Sequence, residues 1–209
     1  MLRSPDFSSL GKWQRLCRIH GLPRLGFQAM SEWPPEFSEI LRRSFVVRTT
    51  FERKDGSLRT LETTFGWSGG REVILSGFPG KRDWVASLSR SPDVVLHTVE
   101  FSPGYNIQAE AKVLRNREER LPYIFSFIER WSERPGFPRR RFGFLLGAVK
   151  INRRLGLPWW GPFYLARRIF DGMPCVVLTL KGDPVERLGP PPSVSPPRLA
   201  RNQRYREMG

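Results

Sequence analysis

The chain has 209 residues, with 35 Lys and Arg against 20 Asp and Glu, a net charge of +15 and a hydrophobic fraction of 39%. That length holds one domain with extensions and a real core. Cys17 and Cys175 are too far apart to form a disulfide framework or a metal motif, and they point to a reducing cytoplasm. No apolar run reaches the roughly 18–20 residues of a membrane span, and the N-terminus shows no signal-peptide core.

The positive charge is unevenly spread. Residues 1–29 carry a net +4, residues 30–138 carry +1 from 16 basic and 15 acidic residues, and residues 139–209 carry +10. The middle of the chain is nearly neutral and the excess lies in its flanks. A nucleic-acid enzyme more often runs its basic stripe across the folded core, so this distribution argues against nucleic acid as the partner.

Residues 1–29 form an Arg-rich arm with a weak apolar pattern at Leu10, Trp13, Leu16 and Ile19. Coherent patterning begins at Met30, which leaves two candidate translation starts, Met1 and Met30. Pro34 and Pro35 open a short helix through Leu41, prolines being at home in a first helical turn. Ser44–Arg53 alternates and is rich in β-branched residues, the pattern of a strand. Lys54-Asp55-Gly56-Ser57 is a hairpin turn, Leu58–Trp67 the return strand and Arg71–Gly77 the third strand. A glycine-rich basic loop follows, Gly77-Phe78-Pro79-Gly80-Lys81-Arg82, then a helix from Asp83 to Arg90 with Asp83 as its expected N-cap. Asp93–Glu100 is a fourth strand, and Tyr105–Leu114 a fifth. Asn116 caps a helix carrying Leu121, Ile124, Phe125, Ile128 and Trp131 at helical spacing. Pro135–Asp171 reads as an insert mixing arginines with aromatics. Pro174–Leu180 is a final strand, apolar on both faces, and the Pro- and Arg-rich tail over 182–209 is expected to be disordered.

Six strands in meander order, with one helix between the third and fourth, predict a β-rich α+β fold: a small antiparallel barrel with flanking helices over residues 30–181. A barrel removes sheet edges and leaves a mouth for a ligand. At that mouth, free amides, a helix dipole, Lys81 and Arg82 make an anion site, most simply for phosphate. A second cationic turn, Arg53-Lys54-Asp55-Gly56-Ser57-Leu58-Arg59, lies near the same rim in such a barrel. Gly66-Trp67-Ser68-Gly69-Gly70 matches the hydrolase nucleophile elbow formally, but the element expected after it is a strand, so it reads as a hairpin turn. His97 reads as a hydrogen-bonded strand residue. Glu118 and Glu119 are accounted for by the helix dipole. No cluster has metal-ligand spacing, and there is no dinucleotide or Walker loop.

Several of these stretches together resemble the deazaflavin-dependent nitroreductase family, a branch of the split β-barrel flavin-binding proteins related to pyridoxamine-phosphate oxidase. They are Phe51–Arg59, Val73–Gly77, Lys81, Trp84–Leu88, Ser91–Val94 and Pro174–Leu178. The resemblance implies a six-stranded antiparallel split β-barrel and the deazaflavin coenzyme F420. It implies hydride transfer from the reduced coenzyme to a quinone, nitroaromatic or enone, and a homodimer. It implies that Arg53, Lys54, Arg59 and Lys81 hold phosphate or the acidic tail, that Ser76 and Gly77 lie against the ring, and that Trp84 packs beneath it. No catalytic side chain is implied. The chain departs from the family at Asp55, where a hydroxyl is usual, and at Ser87, where Asn is usual. FMN is the alternative cofactor. The alternative function is a non-catalytic ligand-binding barrel whose basic flanks contact anionic lipid or nucleic acid. Two readings stand for the insert: a helical lid or dimer arm with buried aromatics, or a peripheral membrane contact through 139–168 built on Trp159, Trp160, Phe163 and Tyr164.

Overall fold

The computed structural model describes residues 33–196 except 78, 81, 138 and 158–163. The basic arm, Lys81, Trp159, Trp160, Phe163 and the tail beyond 196 lie outside the described residues.

Six antiparallel strands close into a barrel: β1 (Val46–Glu52), β2 (Leu58–Trp67), β3 (Glu72–Ser76), β4 (Asp93–Thr98), β5 (Gly104–Val113) and β6 (Cys175–Arg187). Five helices flank them: α1 (Pro35–Arg43), α2 (Asp83–Leu88), α3 (Arg117–Ser132), α4 (Arg139–Arg154) and α5 (Tyr164–Gly172). The expected fold class is therefore the observed one.

The strand order is not a simple meander. Around the barrel it runs β1-β2-β3-β6-β5-β4. Two three-stranded meanders are joined where β3 pairs with β6 and β1 pairs with β4. The physical reason lies in burial. β3 and the first half of β6 are apolar on both faces, so each needs cover inside and outside. Val73, Leu75, Val176, Leu178 and Leu180 enter the barrel core, while Ile74, Cys175 and Val177 face a second cluster with Ile124, Phe125, Phe127 and Ile128 of α3. Placing the two such strands side by side lets one helix cover both. Gly66 of β2 allows the close approach: a Cβ there would sit 3.2 Å from the Phe127 Cα.

β1 shows the opposite pattern, alternating buried and half-buried, with Val47, Thr49 and Phe51 inward. α1 leads directly into its start and buries Phe37, Ile40 and Leu41 in the barrel core. Trp33 joins them, its indole N–H donating to the Gly182 carbonyl at 3.0 Å. α2 packs near the far end of β1, burying Trp84 and Leu88 in the same core. The cap expected at Asn116 is present, its side-chain oxygen accepting from the Glu118 and Glu119 amides at 2.8 and 3.4 Å.

The final strand corrects the expected disordered tail. β6 continues through Arg187, paired with β5 back to Gly104. Residues 188–196 then run in extended form across β1 and β2. The Ser195 amide donates to the Thr60 carbonyl and the Thr60 amide to Ser195 Oγ, both at 2.9 Å, while Arg48 donates to the Pro192 carbonyl at 3.0 Å. A proline-rich sequence needs no ladder of its own when a neighbouring strand offers its free groups.

Candidate functional site

The β1–β2 turn is a tight hairpin. The Arg53 amide donates to the Ser57 carbonyl at 2.8 Å and the Gly56 amide to the Arg53 carbonyl at 3.1 Å. Gly56 has φ +77°, the left-handed region this turn requires. Asp55 folds back on the turn, accepting from Ser57 Oγ at 2.6 Å and the Ser57 amide at 3.1 Å. The side-chain bond from Ser57 is the main reason that its carboxyl titrates below the usual carboxylate range. The turn is thereby held as a rigid loop presenting Arg53 and Lys54.

Facing it is α2. Together the turn and helix enclose a cleft of about 440 Å³ lined by Arg53, Lys54, Asp55, Arg59, Asp83, Ala86, Ser87 and Arg90. The lining carries four cations and two carboxylates. Arg59 is 11% exposed, and its guanidinium reaches Asp83 Oδ2 at 2.6 Å. Burial works against the charge of Asp83, but the bond and the field of Arg59 outweigh it and hold the carboxyl below its usual range. Arg59 Nε is buried and has no hydrogen-bond partner among the described residues.

Asp83 is thus not the N-cap. Arg82 occupies that position, with no side-chain cap bond, and Asp83 is the first helical residue. A capping carboxylate accepts from the amides two or three residues on. Here one oxygen accepts from the amide of the very next residue, Trp84, at 2.9 Å, and the other is taken by Arg59.

The structure brings Arg53, Lys54 and Arg59 into one cleft and adds Arg90, Ala86, Ser87 and Asp83, which sequence reasoning did not assign to it. The helix expected to run to Arg90 ends at Leu88, and Arg90 lines the cleft from the turn that follows, where helical spacing gives no signal. Ser76 does not join the cleft. It is fully buried, and its hydroxyl donates to the Pro174 carbonyl at 2.6 Å. Gly77 does not line it either. Trp84 is 7% exposed and turned into the barrel core, so it forms the floor under α2 rather than a surface open to a ligand. The loop before α2 is tied to α5, the Gly80 amide donating to the Gly172 carbonyl at 3.0 Å.

The remaining candidates have structural roles. Ser68 lies on the β2–β3 turn, where the Trp67 indole closes onto the Gly70 carbonyl at 3.0 Å. His97 is 5% exposed; its Nδ1 lies 2.7 Å from Asn106 Oδ1 and its Nε2 2.9 Å from Thr50 Oγ1. Asn106 Oδ1 can only accept, so Nδ1 carries the proton and Nε2 receives the threonine hydroxyl. Burial first, then the cations Arg187 and Arg48, depress the imidazole below its ordinary value. Burial also pushes the Cys175 thiol up to about 12, which makes it inert as a nucleophile. Among the described residues no group of three or more His, Cys, Asp or Glu could hold a metal.

The closed barrel thus carries a cationic cleft between its β1–β2 turn and α2. No family model and no curated protein matches it. Among solved structures it is similar to a conserved hypothetical protein from Mycobacterium tuberculosis, at 14% identity over 80% of this chain and 94% of that one, with a TM-score of 0.48. It is similar to an F420 reductase, at 11% identity over 71% and 96%, with a TM-score of 0.46. It is also similar to a pyridoxinephosphate oxidase family protein related to a general stress protein, from Clostridium acetobutylicum, at 13% identity over 74% and 88%, with a TM-score of 0.45. Likenesses this remote leave the function to be read from the cleft.

Proposed function

We propose that the cleft between the β1–β2 turn and α2 takes a phosphate-bearing planar redox coenzyme, F420 with FMN as the alternative. The protein is then an oxidoreductase that passes a hydride to a small organic acceptor such as a quinone, nitroaromatic or enone. The observation that supports this reading is the convergence of Arg53, Lys54 and Arg59 from one connection with Arg90 from another on a single concave site. The cleft volume falls within the roughly 300–1,000 Å³ of small-molecule sites. The orphaned Arg59 Nε is a buried donor that an entering acceptor group would satisfy.

Each residue has a physical task. Arg53 and Lys54, on the rigid turn, hold the anionic end. Arg90 closes on it from the turn after α2. Asp83 fixes the guanidinium of Arg59 so that its orientation costs nothing at binding. Asp55 and Asp83 repel an anion from their own side of the cleft and so set its position. The bound coenzyme supplies the hydride chemistry; the chain supplies anion binding, orientation and exclusion of water. Lys81, outside the described residues, is proposed to hold the same anion.

A second reading keeps the cleft and removes the chemistry. The hydroxyl of Ser76 is committed to Pro174 and Trp84 is buried, so neither offers the cleft a free polar or aromatic face, and this favours a non-catalytic binder of a phosphorylated ligand. Fluorescence titration with F420, FMN and FAD, followed by turnover with nitroaromatic and quinone acceptors, separates the two. Micromolar binding with turnover supports the enzyme, and binding without turnover supports the binder. Millimolar or absent binding of all three removes the coenzyme reading and leaves the non-catalytic binder. A homodimer is part of the proposal, checked by sedimentation of the full chain.

A further inference from the structure

Helix α4 is sixteen residues long and lies in the insert between β5 and β6. It buries Val149 in the cluster that holds Ile124, Phe125 and Phe170. Phe144, Ile151 and Leu155 are 75%, 59% and 65% exposed, and Leu157 beyond them is also exposed. Leu155 still belongs to the helical path, its amide donating to the Ile151 carbonyl at 3.0 Å. At roughly 100° per residue these three side chains project within about 40° of one another, on the side away from Val149. They form one stripe. Phe144 is thus an aromatic of the insert that is exposed.

The charge on this helix has one sign. Six of its sixteen residues are Arg or Lys and none is Asp or Glu. Lys150 and Arg154 are exposed beside the stripe, and Arg168 of α5 is exposed too. A second copy of the chain laid on this face would bring like charge against like charge, which disfavours a homodimer here. A nucleic acid would use the cations but leave three large apolar side chains in water. An apolar stripe flanked by cations matches one partner in both respects, a bilayer with anionic phospholipid headgroups.

We infer that α4 is a peripheral membrane-docking element that lays Phe144, Ile151 and Leu155 into the headgroup boundary of an anionic phospholipid bilayer. No helix among the described residues is long and apolar enough to cross a membrane, so the docking is along the surface. It is independent of what the cleft binds.

The test is flotation of the full-length protein with vesicles of phosphatidylcholine alone or mixed with phosphatidylglycerol. The wild type is expected to float with the mixed vesicles and not with the neutral ones. The triple variant Phe144→Ser/Ile151→Ser/Leu155→Ser keeps the net charge, so its binding should fall about tenfold through lost insertion alone. Its far-UV spectrum and melting midpoint should match the wild type, because the three positions are exposed. Lys150→Glu/Arg154→Glu should also weaken binding and flatten its salt dependence. The inference is overturned if the wild type ignores anionic vesicles or if the triple variant floats as the wild type does. It is equally overturned if the stripe proves to be a dimer face, with the triple variant turning an oligomer into a monomer while vesicle binding is unchanged.

Discussion

Asp83 and Arg59 hold each other at 2.6 Å across the wall of the cleft, with Asp83 54% exposed on its outer side. Solvent screens such a pair, so it contributes about 0.5–1 kcal/mol. The folded carboxyl titrates lower than the unfolded one. Its contribution is therefore present above about pH 4 and lost as pH falls through the folded value. Asp83→Asn should lower the unfolding free energy at pH 7 by about that amount, and the gap from the wild type should close in acid. Denaturant titrations at both pH values check this; a gap that persists in acid contradicts the ion-pair account. His97 gives the complementary case. Its folded imidazole titrates below the ordinary value, with burial the first cause. The unfolded chain therefore takes up the proton first, and stability falls as pH drops below about 6.5. His97→Gln should remove that part of the slope of the melting midpoint between pH 7 and 5; an unchanged slope would place it elsewhere. The Arg59–Asp83 pair was not legible in the sequence. A carboxylate ahead of an apolar run looks like a cap, and its competing partner lies 24 positions away.

Elements were legible where their pattern is local. β2 begins and ends where alternation and the Asp55-Gly56 turn place it, and α3 starts at the predicted Asn116 cap. Asn116→Ala should cost about 1 kcal/mol, read by urea unfolding, with less than a few tenths meaning that the cap does not hold. Gly66→Val should cost about 1–3 kcal/mol, because the new side chain meets the backbone of α3, only 3.2 Å from its Cβ position. A midpoint unchanged by that substitution would contradict the close packing of α3 on β2. The second half of β6 was not legible. Gly182, Pro184 and the surrounding charges read as tail, yet Lys181 pairs with Glu110 at 2.7 Å and the strand runs on along β5 to Arg187. Such pairing depends on a partner some seventy positions earlier, which no local window contains. A chain ending at Arg187 should melt a few degrees lower, through loss of the Ser195–Thr60 and Arg48–Pro192 bonds, and an unchanged midpoint would show that the strap adds nothing.

At the scale of the molecule, the barrel decides which distant residues become neighbours. Strand pairing across β1·β4 and β3·β6 closes the sheet and packs α2 against the turn that follows β1. Fold class could be read from strand count and alternation; the order of pairing could not, because it follows from which strands need cover on both faces. The cationic rim was readable as two basic connections, but their meeting point was not, and neither was the withdrawal of Ser76 and Trp84 into the interior. In the proposed function the cations of this cleft recognise an anionic group on a planar coenzyme. The most direct measurement compares each coenzyme with its phosphate-free parent, F420 against the bare deazariboflavin core and FMN against riboflavin, on the wild type and on Arg53→Ser/Arg90→Ser. The phosphate-bearing form should bind the wild type at least about tenfold more tightly, and the double variant should lose the preference while still binding the parent. Equal affinity for both forms on the wild type, or a preference that survives in the variant, would contradict that function.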